Sequence, residues 1–74
     1  VSRAYDLYVR YTIEELQAKM DALRADPKNQ NPEGSFWKYT AACRRKTDDI
    51  AWAITYHLKD LRKVKDNERK PENS

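Results

Sequence analysis

No proline or glycine interrupts residues 36–65. That run predicts a single long helix of about 45 Å at 1.5 Å per residue. On a helical wheel Phe36, Cys43, Thr47, Ile50, Ile54, His57, Leu58, Leu61 and Val64 form one stripe. A helix of this length must find something to cover that stripe.

The nearest cover lies just upstream. Thr12-Ile-Glu-Glu15 is a capping box, with Tyr11 and Leu16 placed as a hydrophobic staple. Ile13, Leu16, Met20 and Leu23 then repeat at helical spacing. This helix should stop near Ala25, because Asp26 precedes Pro27 and residues before proline avoid the helical region. Residues 26–35 read as a polar loop, with Asn31 or, by preference, Ser35 capping the long helix. The expected fold is therefore mainly all-α: an antiparallel two-helix hairpin with a long second helix. The first helix, about 20 Å long, cannot cover a second of twice its length. The uncovered remainder points to a second subunit.

Residues 4–11 are expected to be extended. Tyr5, Leu7, Val9 and Tyr11 alternate with Asp6, Tyr8 and Arg10, the period of a half-buried strand, although a helical extension also fits so short a run. A lone strand must pair with its copy or with a partner's sheet edge, which again implies a homodimer. The single small domain should span 1–66, followed by a disordered polar tail at 67–74.

Composition narrows the function classes. A chain of 74 residues, 39% hydrophobic, is marginal as a lone monomer. Its single cysteine forms no internal disulfide, and a zinc site would need more ligands than Cys43 and His57. No apolar run approaches a membrane span, Val1–Arg10 lacks a signal-peptide core, and a free cysteine suits a reducing compartment; the cytoplasm is the expected location. With Gly34 alone, no glycine-rich phosphate loop is available. His57 and Cys43 lie about 21 Å apart along one helix, too far for a dyad. Asp48 and Asp49 diverge around it, so neither catalysis nor a cofactor is expected.

The charge is uneven: residues 1–34 carry a net −1 and residues 35–74 a net +4. Arg44, Arg45 and Lys46 can pair with Asp48 and Asp49 along the helix. The C-terminal cations Lys59, Arg62, Lys63, Lys65, Arg69 and Lys70 suit a helix C-terminus. Trp52 and Tyr56, one turn apart, point nearly opposite Ile50 and Ile54. Arg45 and Lys59 share their side, with Trp37 at its margin. Two readings of this side stand together. The N-terminal segment can pack there, covering Trp52 with Tyr5, Leu7 or Val9. Alternatively Trp37, Arg45, Trp52, Tyr56 and Lys59 form a patch that binds a protein partner. A non-enzymatic interaction protein is the leading expectation, and the size and charge would suit an accessory protein of a phage or plasmid.

The order of strand, capped helix and second helix, carried by Leu7-Tyr-Val-Arg-Tyr-Thr-Ile-Glu-Glu-Leu16, resembles the ribbon-helix-helix family of dimeric DNA-binding repressors. The resemblance implies that Asp6, Tyr8 and Arg10 face DNA from a strand paired across the dimer. The long loop at 26–35 and the long second helix depart from that family's pattern. DNA binding, through Arg10 or through Arg62, Lys63 and Lys65, therefore stands second to protein binding.

Overall fold

The structure is a computed structural model that describes residues 2–69. It is mainly helical: α1 spans Arg3–Arg10, α2 spans Ile13–Ala25, a 3-10 turn spans Pro27–Asn29, and α3 spans Ala41–Arg69. No strand forms among the described residues; Gln30 and Tyr39 make an isolated antiparallel bridge. No helix among them is long and apolar enough to cross a membrane.

Residues 4–11 are thus not the strand that their alternation predicts. Ala4, Leu7, Tyr8 and Tyr11 also fall at i, i+3, i+4 and i+7, the helical period. Ala4 is buried and the other three are half-buried, whereas Tyr5 and Val9 are exposed. Local chemistry supports the helix: the Ser2 side chain accepts from the Tyr5 N–H at 3.5 Å, and Asp6 and Arg10 complement the helix dipole. Eight residues cannot hold a helix in water unaided, so packing against α3 decides between the two periods.

α2 forms as its sequence predicts. The Thr12 hydroxyl accepts from the Glu15 N–H at 3.2 Å, and the Thr12 N–H donates to the Glu15 carboxylate at 3.0 Å. The last carbonyls of α2 are satisfied by side chains: Asn29 donates to Leu23 at 2.9 Å and Gln30 to Arg24 at 3.0 Å.

The long helix starts at Ala41, not at 36, and neither Asn31 nor Ser35 caps it. The Asn31 amide donates to the carbonyls of Trp37 and Tyr39 at 2.8 and 3.1 Å, and its N–H donates to the Lys38 carbonyl at 2.9 Å. Those bonds hold residues 37–39 in a non-helical course. Thr40 is the cap instead, its hydroxyl accepting from the Cys43 N–H at 3.2 Å. Phe36, assigned to the core stripe by periodicity, therefore sits outside the helix and is 91% exposed. Gly34 turns the chain with φ +89, a conformation that suits glycine. At its other end α3 runs to Arg69, into the segment expected to be a polar tail; residues 70–74 lie outside the described residues.

The core forms where both short helices meet the middle of α3. Leu16, Ile50 and Ala53 are buried, with Leu7, Tyr8, Tyr11, Met20, Leu23 and Ile54 packed around them. Cys43 and Thr47 extend the buried line toward the start of α3; the Thr47 hydroxyl is satisfied by the Arg44 carbonyl at 3.0 Å. The end of α2 lies by Cys43, whose sulfur is 3.8 Å from the Leu23 carbonyl, and its start by His57.

Leu16→Ala should destabilise the chain by about 2–5 kcal/mol, read as a lower urea midpoint by circular dichroism. Thr12→Ala should cost about 1 kcal/mol; an unchanged midpoint in either variant contradicts this account of the core and cap.

Candidate protein-binding surface

The surface is built on the side of α3 away from Ile50. Arg45, Trp52 and Lys59 recur every seven residues and are all exposed. Seven residues are close to two full turns, so the three side chains stand in line about 10 Å apart. Trp52 is 56% exposed. Its indole lies beside the Tyr56 ring, with centroids 6.4 Å apart and planes at 37°.

α1 extends this row of aromatic rings. Tyr8 meets Tyr56 edge-on at 5.8 Å, and Tyr5 meets Tyr8 at 5.6 Å. Tyr8 also packs against the His57 ring at 4.7 Å, and its hydroxyl donates to the Asp60 carboxylate. His57 Nε2 lies 2.8 Å from the Tyr11 carbonyl. A carbonyl only accepts, so Nε2 carries the proton there. His57 thereby ties the α1–α2 junction to α3.

The packing expected of the N-terminal segment on this side is met only in part. The N-terminal segment does pack here, but through Tyr8 against Tyr56, and Tyr56 is half-buried as a result. Trp52 is left open, with Arg45 and Lys59 on either side. Trp37 is placed elsewhere. The Arg44 guanidinium lies 4.1 Å over its ring and Phe36 meets it edge-on at 5.2 Å. Arg44 precedes Trp52 by eight residues, about 12 Å along the axis. The Arg44 Nε atom is buried without a hydrogen-bond partner among the described residues.

The residues assigned to nucleic acid also divide. Arg10 lies in the last turn of α1 and lines a groove of about 660 Å³ between the three helices, together with Arg3, Lys19, Asp26 and Asp49. Tyr8, which the family resemblance turns toward DNA, faces α3. Arg62, Lys63 and Lys65 are exposed on the far half of α3. The period-two reading left Tyr8 out of this row of rings; the 4-7-8-11 spacing is the signal that places it on α3.

The Asp60 carboxylate that accepts its hydrogen bond, with burial adding to the effect, holds the Tyr8 phenol above its ordinary value of 10.0. The proton is then bound more tightly folded than unfolded. Its contribution to stability is complete below the ordinary tyrosine value and is lost as pH rises through the higher folded value. Thermal midpoints followed across about pH 9–12 should fall more steeply for the native chain than for Tyr8→Phe, and equal slopes would remove the Tyr8–Asp60 assignment. The chain matches no protein-family model, no curated protein and no solved structure.

Proposed function

We propose that the chain is a small non-enzymatic module that binds a protein partner through Arg45, Trp52, Tyr56 and Lys59. The observation that carries the reading is the exposed Trp52 indole on a helix held in place by the core behind it. Tryptophan, tyrosine and arginine are the residues most enriched among those that dominate interface energetics. A large aromatic already fixed on a rigid element loses little freedom on binding. The two cations in line with Trp52 favour a partner with carboxylates spaced around an apolar contact.

The DNA-binding alternative has lost the ribbon on which its family resemblance rested, because Arg3–Arg10 is a helix. It retains only the outward cations Arg62, Lys63 and Lys65. Strand pairing likewise no longer supports a homodimer. The apolar face still available for one is the far half of α3.

Trp52→Ala is the cleanest probe, since Trp52 is exposed and Tyr56 also supports Tyr8. Circular dichroism should show the helices intact. Capture of the partner by the full chain should weaken about 30-fold or more, as for an interface hot spot. Capture that survives the substitution undiminished would falsify the proposed surface.

A further inference from the structure

Tyr11 and Thr12 separate α1 from α2, and both are extended, with φ −128, ψ 149 and φ −78, ψ 168. Tyr11 is held from two sides. Its carbonyl is bonded by His57 on α3, and the Lys19 ammonium on α2 lies 4.3 Å over its ring. The junction is therefore a fixed point from which the eight residues of α1 reach along α3.

Little else ties α1 down. Both short helices pack on α3, but their backbones scarcely approach each other. The groove of about 660 Å³ has Arg3, Asp6 and Arg10 of α1 on one wall and Lys19 and Asp26 on another. Tyr5 and Val9 are exposed. What α1 gives to the core is Ala4, Leu7 and Tyr8. Tyr8 makes the most contacts: its ring meets those of Tyr56 and His57, and its hydroxyl donates to Asp60. Once released, so short a helix does not persist in water.

The contacts of α2 with α3 do not pass through α1. Leu16, Met20 and Leu23 share a cluster with Ile50, Ala53 and Ile54. Asn29 and Cys43 both bond the Leu23 carbonyl at its far end. We propose that α1 is a strap latched by Tyr8, which lifts from α3 about the Tyr11 hinge while the α2–α3 pair stays folded. Lifting takes the Tyr8 ring off Tyr56 and His57, and so enlarges the aromatic surface beside Trp52. Only the area beneath α1 is exposed, so opening requires less free energy than unfolding the whole chain. The strap does not depend on what the Trp52 surface binds.

Hydrogen exchange of the full chain, resolved by amide and repeated in low urea, tests the strap. The amides of residues 7–11 should be protected, but about tenfold or more less than those around Ile50, and with a weaker urea dependence. Tyr8→Phe keeps the ring and deletes the bond to Asp60; it should speed exchange in α1 about fivefold. Asn29→Ala deletes a bond at the far end of α2 and weakens the closed and open forms alike. It should speed exchange around Ile50 and leave α1 unchanged. The proposal is overturned if α1 and the Ile50 region share one protection and one urea dependence, or if the α1 amides are unprotected. It is also overturned if Tyr8→Phe leaves them unchanged, or if Asn29→Ala speeds them as much as it speeds the Ile50 region.

Discussion

Helices of eight and thirteen residues are the cover available to one of twenty-nine. Most of the structure follows from that mismatch. Neither short helix would persist alone, and both gain stability only by sharing one stretch of α3. Leu16 from α2 and Ala4, Leu7 and Tyr8 from α1 converge there. Ala53 is fully buried at the crossing, where a small side chain lets two helices approach a third. The hydrogen bond from His57 to the Tyr11 carbonyl holds the point where α1 gives way to α2. Concentrating the cover in this way leaves Leu58, Leu61 and Val64, on the far half of α3, about half exposed.

The elements whose signals were local were legible in the sequence. Thr12, Glu15 and Leu16 define the start of α2, and Pro27 its end, through groups a few residues apart. Cys43, Thr47 and Ile50 are buried as the wheel predicts. The misreadings fall where distant groups decide. Residues 4–11 satisfy a period of two and a period of 3.6 together, and only the surface of α3 selects between them. Residues 36–40 hold no proline or glycine to stop a helix, but the Asn31 amide claims the carbonyls of Trp37 and Tyr39. For the candidate site, the alignment of Arg45, Trp52, Tyr56 and Lys59 was legible because helical spacing alone fixes it. The pairing of Trp37 with Arg44 was not, since it depends on where the preceding loop runs.

The two faces of α3 differ in how they are supported. The Trp52 face has the packed core behind it and the Tyr8–Tyr56 contact beside it. On the Leu61 face, Leu61 and Val64 meet only Thr12, Ile13 and Glu14 across a shallow cleft. An interface on the first requires little ordering.

Cys43 gives this architecture an intrinsic reporter. Its thiol is 1% exposed and lies against the Leu23 carbonyl at the end of α2. A thiol reagent reaches the sulfur only when the end of α2 lifts from α3. The rate at which the folded chain is alkylated therefore measures how often that seam opens, separately from fraying at the far end of α3.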